Sequence, residues 1–164
     1  EDSNSQCRTN LRNTLHKSTE KSDKLLSFEK TYTSVQIPEA FKCRCLKNIN
    51  ANTFIQNVTK EIFCSDRFPQ NRNIYAINIH KKTFMVYNGK WEKRLKAEII
   101  QDLNRILKEA IGTGLGRWGG DDIFPHDNEK MVENSEYLKI KNNLNNLAEV
   151  YFTDVQDTLT INRP

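Results

Sequence analysis

The segment that most constrains the fold runs from residue 68 to residue 91 and reads FPQNRNIYAINIHKKTFMVYNGKW. Residues 74–79 and 84–87 are rich in β-branched and aromatic side chains, which favour strands. Asn88-Gly89, which directly follows the second of these stretches, is typical of a two-residue type I′ hairpin turn. The pattern therefore predicts a small antiparallel β-meander.

A two-residue turn at Asn88-Gly89 also sets the register of the second hairpin. Tyr87 would face Lys90 and Val86 would face Trp91, and side chains alternate between the two faces of a sheet. An alternative role for Trp91 or Tyr75 is a platform on which nucleic-acid bases stack, but a tryptophan beside a hairpin turn is more often a core residue. The predicted core face carries Phe84, Val86 and Trp91, and the opposite face carries Met85, Tyr87 and Lys90.

Three amphipathic helices are predicted around the meander, at residues 53–64, 96–111 and 136–152. In each, apolar residues recur at intervals of three and four. We expect Asn52 to cap the first helix and Gly112 to end the second. Beyond the third, a helical extension or a short strand is expected to carry Val155, Leu159 and Ile161.

The predicted fold class is α+β, a meander at about 74–94 packed by these helices. Only 37% of the residues are hydrophobic, so part of the length is expected to be surface helix or arm. Residues 1–50 are predicted to form a polar N-terminal arm, partly helical or extended. Residues 51–164 are predicted to form one domain with a glycine-rich hinge at 112–120.

The glycine-rich run, GTGLGRWGG, is not expected to bind phosphate. It follows a predicted helix, whereas a dinucleotide-binding glycine motif follows a strand, and the chain has no Gly-Lys-Ser or Gly-Lys-Thr. A helix-ending glycine followed by a hinge explains the run better. Arg117 and Trp118, at its centre, are candidate anchors for a protein partner.

Basic residues concentrate in the meander, although the whole chain carries a net charge of only +4. Phosphate binding needs such cations on one surface, and the predicted register puts Lys93 on the side opposite Lys90, which splits the patch. Lysines on edge strands also keep sheets from pairing with other chains. The candidate nucleic-acid contacts are Lys81, Lys82, Lys90, Lys93, Arg94 and Lys96.

The sequence predicts no catalytic residue, metal site or cofactor. Four cysteines lack the spacing of a zinc site, the three histidines are scattered, and Asp121-Asp122 lies in a glycine-rich loop where such a pair is usually solvated. The even cysteine count and the sequon at Asn57 would suit a secreted chain, but Asn57 falls within a predicted helix. The dispersed residues are Cys7, Cys43, Cys45 and Cys64, with His16, His80 and His126.

Three short blocks between residues 62 and 91 resemble a domain that recurs, often duplicated, in proteins of giant nucleocytoplasmic large DNA viruses. The family pattern reads Ile-His-Phe-Asn, a spacer, Pro-Glu-Asn-x-Asn-Ile-Tyr, a strand, and Asp/Asn-Gly-Lys-Trp. This chain departs from it at Phe63, Cys64, Ser65 and Gln70, so a function that needs the family's histidine or glutamate is not expected. The matching residues are Ile62; Pro69, Asn71, Asn73, Ile74 and Tyr75; and Asn88, Gly89, Lys90 and Trp91.

The resemblance implies a viral protein, and the residues predict no chemistry. The expected function is therefore a non-enzymatic viral interaction module, foremost a virion structural or assembly protein of the minor capsid or tegument kind. One alternative is a viral nucleic-acid-binding or regulatory protein that uses the basic meander, and another is a secreted, disulfide-containing protein that modulates the host. Expected partners are viral or host proteins, DNA, or further copies of the chain. The expected location is the virion or the cytoplasm or nucleus of the infected cell, with no membrane span.

Overall fold

The computed structural model of the chain describes residues 24–31, 49–64, 69–78, 82–115 and 135–162. Within these ranges it contains five α-helices and one three-stranded sheet, which confirms the predicted α+β class. Short 3₁₀ helices lie at Phe28–Lys30, Pro69–Asn71, Leu144–Asn146 and Thr160–Asn162. In chain order the other elements are α1 (Ala51–Phe63), β1 (Ile74–Asn78), β2 (Thr83–Tyr87), β3 (Trp91–Leu95), α2 (Lys96–Leu115), α3 (Ser135–Asn142), α4 (Leu147–Val150) and α5 (Phe152–Leu159).

The three strands form an antiparallel meander in the order β1-β2-β3. One face of this sheet, called the inner face below, packs on the helices and carries buried side chains from β1 and β2. The rings of Phe84 on β2 and Phe152 on α5 meet edge to face, with centroids 6.0 Å apart. The inner-face residues of β1 and β2 are Ile74, Ala76, Phe84 and Val86.

The register of the second hairpin differs by one residue from the predicted one. Tyr87 pairs with Trp91, and Val86 pairs with Glu92, because three residues rather than two connect β2 and β3. Gly89 has a φ of +93°, but Asn88 does not share the positive φ that a type I′ turn needs at both central positions. A one-residue change of register moves each side chain of a strand to the other face. Trp91 therefore lies on the face of the sheet opposite to the predicted core face.

Helix α1 begins at Ala51, whereas the predicted helix begins at residue 53. Its cap is Asn50 and not Asn52, since the Asn50 side chain accepts a hydrogen bond from the Thr53 N–H at 2.8 Å. The predicted apolar stripe is confirmed and fully buried. It consists of Phe54, Ile55, Val58 and Ile62.

Helix α2 follows β3 without a loop, and the Glu98 carboxylate accepts a hydrogen bond from the Leu95 N–H at 2.9 Å. Its predicted apolar face is buried as far as Ile111. Gly112 does not end the helix, which continues to Leu115. The remainder of the predicted hinge, residues 116–120, lies outside the described residues.

The predicted helix at 136–152 is instead interrupted, because α3 ends at Asn142 and two further helices follow a 3₁₀ turn. Side chains stabilise the break. Asn143 donates through Nδ2 to the Lys139 carbonyl at 2.7 Å, and Asn104 on α2 accepts from the Ala148 N–H at 2.6 Å, near the start of α4. Val155 and Leu159 belong to α5, so the helical extension and not the strand is correct.

The segment 24–31, from the predicted N-terminal arm, packs on the domain. Phe28 is buried, and its ring lies 6.3 Å from that of Phe63 at the end of α1. Asn73 ties this segment to the start of β1, because its Nδ2 donates to the Leu26 carbonyl and to Thr31 Oγ1. Part of the predicted arm therefore contributes to the core of the domain.

Candidate interaction surface

Strand β3 shows the inverse of the usual alternation of a half-buried strand. Trp91, Lys93 and Leu95 are exposed on the outer face of the sheet, whereas the charged Glu92 and Arg94 point to the inner side and are half-buried. A strand that covers a core normally turns its apolar residues inward and its charged residues to solvent. The two large apolar side chains of β3 are thus placed where they contribute little to the core.

The outer face carries a group of aromatic and apolar side chains, called the outer patch below. Trp91 stands at its centre, with its ring centroid 5.4 Å from that of Tyr75 and 5.7 Å from that of Tyr87. Trp91 remains 40% exposed and Leu95 58% exposed. The outer patch consists of Tyr75, Met85, Tyr87, Trp91 and Leu95.

Contacts with the N-terminal segment hold the hairpin turn that creates this surface. Asn88 Oδ1 accepts hydrogen bonds from Ser27 Oγ at 2.6 Å and from the Glu29 N–H at 3.3 Å. The Tyr87 N–H donates to the Asn73 carbonyl at 2.9 Å. Because the turn is held from outside the hairpin, the aromatic rings are positioned before any partner arrives, which lowers the entropic cost of binding.

Five of the six predicted nucleic-acid contacts are described by the structure, and these five do not lie on one face of the sheet. Lys82, Lys90 and Lys93 are exposed, and Lys93 lies on the same face as the outer patch. Arg94 points to the inner side and pairs with Glu92 at 3.2 Å; the bond to Glu92 raises the pKa of its guanidinium. Lys96 points inward too, with Nζ 4.3 Å from the centroid of the Phe152 ring. Lys81 lies outside the described residues.

The other predicted residues of interest also lie outside the described ranges, namely Arg117, Trp118, Asp121, Asp122 and the three histidines. Within the part of the chain that the structure describes, no three His, Cys, Asp or Glu side chains come together as a metal site. Nor does any described helix combine the length and apolarity needed to cross a membrane.

Cys64 and the sequon at Asn57 are both buried. Burial raises the pKa of the Cys64 thiol to about 12, and the thiol donates to the Thr158 carbonyl at 3.7 Å. Such a thiol is protonated at neutral pH and has little nucleophilic character. Asn57 is only 5% exposed and lies inside α1, so the folded domain leaves no room for a glycan there.

Sequence reasoning missed Tyr87 and Leu95 as surface residues of interest and assigned Trp91 to the core. The apolar residues of β3 gave a misleading signal, because an inward Trp91 and Leu95 fit the usual pattern better than the observed arrangement does. No local feature of the hairpin sequence favours a three-residue connection over the two-residue turn that Asn-Gly normally forms. The surface became visible only through the observed pairing of β3 with β2.

Comparison of the chain with protein-family models, with curated proteins and with solved structures finds no match. The functional argument therefore depends on the geometry of the outer patch.

Proposed function

We propose that the domain is a non-enzymatic interaction module of a viral protein, and that it acts in virion assembly by docking a partner protein on the outer patch. The observation that carries this proposal is the inverted alternation of β3. It leaves Trp91 and Leu95 exposed while charged side chains occupy the inner side. The viral part of the proposal is supported by the resemblance of residues 62–91.

The chemistry of the outer patch suits a protein partner. Tryptophan and tyrosine are enriched among the residues that contribute most binding energy at protein interfaces, and they offer a large contact area with few rotatable bonds. Clustered apolar side chains on a surface commonly mark an interaction site. Lys93 adds one cation beside the rings, so a partner with a complementary acidic group near an apolar surface would fit best.

The test is site-specific photocrosslinking in particles of the virus that encodes the chain. A photoreactive phenylalanine analogue would replace Leu95, and the matched control would carry it at Ile161, which is 55% exposed in a different element. We expect the chain to be enriched in purified particles and to crosslink a particle protein from position 95 but not from position 161. Absence of the chain from particles, or equal crosslinking from both positions, would contradict the proposal.

A second candidate function is the binding of single-stranded nucleic acid at the same surface. The observation that favours it is the presence of Lys93 on the face that carries Trp91, Tyr75 and Tyr87, since single strands bind by stacking bases on aromatic rings beside cations. Lys93 shares a face with Trp91 in either register, and the observed register adds Tyr87 to that face, whereas the predicted register placed Tyr87 on the opposite one.

Fluorescence anisotropy with a labelled single strand and a labelled duplex, at two salt concentrations, tests this second candidate. Binding should weaken with salt and be lost in Trp91→Ala and Lys93→Glu. Lys108→Glu is the charge-matched control, because Lys108 is exposed on α2 and bonds to Asn145 away from the sheet. No binding at low salt, or equal loss in the control, would remove this candidate and leave the protein partner.

A further inference from the structure

The two edges of the sheet differ in the part of the chain that the structure describes. At the β1 edge, Asn162 Nδ2 donates to the Ile74 carbonyl at 3.1 Å, and the 3₁₀ helix Thr160–Asn162 packs beside the strand. At the other edge, β3 packs against β2 and α2. An uncovered edge is a template for pairing with another strand.

The backbone groups of β3 that point away from β2 can be identified from the register. The Tyr87 N–H points to β1, where it bonds to Asn73, so alternation along β2 directs the backbone of Val86 and Phe84 toward β3. The backbone groups of their partners, Glu92 and Arg94, point back toward β2. The backbone groups of Trp91, Lys93 and Leu95 therefore face the edge of the sheet on which no described strand pairs. There the Leu95 N–H already donates to the Glu98 carboxylate.

The sequence of β3, WEKRL, is complementary to itself when two copies run antiparallel. Centred on Lys93, the pairing places Trp91 opposite Leu95 of a second copy and Glu92 opposite its Arg94. Pairing centred one residue earlier sets Glu92 against Glu92, and one residue later sets Arg94 against Arg94. Only the Lys93-centred register brings both pairs of opposite charges together, and opposite charges across strands stabilise a sheet.

We infer that the β3 edge is a homodimer interface, in which two copies pair their β3 strands antiparallel about Lys93 and form one continuous six-stranded sheet. Each Arg94 already pairs with Glu92 of its own strand at 3.2 Å, and both side chains are about one third exposed. In the dimer the four charges alternate in sign on the inner side. On the outer side the two outer patches join across the axis.

Lys93 weakens the association of the two copies. It is exposed, and in the paired state it lies opposite its own copy, where like charges oppose association. The strand has only five residues, so few backbone hydrogen bonds compensate. The dimer is therefore reversible and depends on concentration, as suits a protein that assembles only where it accumulates.

Sedimentation equilibrium from low micromolar to millimolar concentration tests the interface. Wild type should dimerise reversibly, and Lys93→Thr should dimerise more tightly. E92R and R94E each place like charges opposite each other at two symmetric positions and should weaken self-association by about tenfold or more. Glu109→Arg is the matched control, because Glu109 forms an exposed pair with Arg105 on α2, and it should leave dimerisation unchanged.

Mixing E92R with R94E separates pairing between copies from stability within one copy. Each variant lacks its own salt bridge within β3, yet the mixed dimer would restore opposite charges at both positions. We expect the mixture to dimerise more strongly than either variant alone. A monomeric wild type at millimolar concentration, no tightening by Lys93→Thr, or no gain on mixing would each overturn the inference.

The inference rests on the proposed interaction function in that it names a second copy as one partner. The two can fail separately. A monomeric chain that still crosslinks a particle protein from position 95 would refute self-pairing alone, whereas a dimer without such a crosslink would refute only the docking of a particle protein.

Discussion

The observed register makes Trp91 and Phe84 energetically very different, although they lie on adjacent strands. Phe84 is fully buried, and Phe84→Ala should cost about 3–5 kcal/mol of unfolding free energy through lost burial and a cavity. Trp91 is 40% exposed and contacts two tyrosine rings. With about 0.5–1.5 kcal/mol for each aromatic pair, Trp91→Ala should cost about 1–3 kcal/mol. Urea unfolding followed by far-UV circular dichroism measures both, provided that the slope m is unchanged.

A double-mutant cycle identifies the cross-strand partner of Trp91 directly. In the observed structure Trp91 pairs with Tyr87, so Trp91→Ala should couple to Tyr87→Ala by about 0.5–1.5 kcal/mol and show little coupling to Val86→Ala. A two-residue turn would give the opposite result, with coupling to Val86. Trp91→Ala as costly as Phe84→Ala, together with coupling to Val86, would refute the inverted alternation and with it the outer patch.

Three further predictions concern the N-terminal segment, a helix end and the buried thiol. Phe28→Ala should destabilise the domain by about 3–5 kcal/mol in urea unfolding, and Leu26→Ala, at a 40% exposed position, should be nearly neutral; equal small effects would place the segment outside the core. The pKa of Glu136 is lowered, first because its carboxylate accepts a hydrogen bond from the Ala51 N–H at 2.7 Å. Its contribution to the free energy of unfolding is therefore present above the ordinary carboxyl pKa and is lost as the pH falls through the pKa of the folded state. Glu136→Gln should therefore destabilise the protein at neutral pH and have little effect in acid, as thermal melts across that range would show. Cys64 should resist alkylation at neutral pH until urea unfolds the domain, and labelling of the native protein at the rate of a free thiol would contradict its burial.

The local pattern predicted the elements of the fold well. Apolar spacing located α1 and α2 because an amphipathic helix displays its buried face directly in the sequence. Alternation and β-propensity located the three strands, and Gly89 adopts the positive φ that its residue type allows. The errors of bounds lie at element ends, where one or two hydrogen bonds decide, and the predicted helix 136–152 is broken after Asn142. Asn50 rather than Asn52 caps α1, and α2 continues through Gly112 to Leu115.

The sequence by itself determined where α1, α2 and the three strands form and which faces of α1 and α2 enter the core. Only the tertiary structure decided which face of β3 meets solvent. The three-residue connection that sets this face includes Asn88, whose side chain bonds to Ser27 and Glu29, about sixty positions away in the chain. Such contacts form only when the chain has folded, and local propensity cannot report them. One additional residue in the hairpin connection moves every side chain of β3 to the other face of the sheet, because side chains alternate with a period of two.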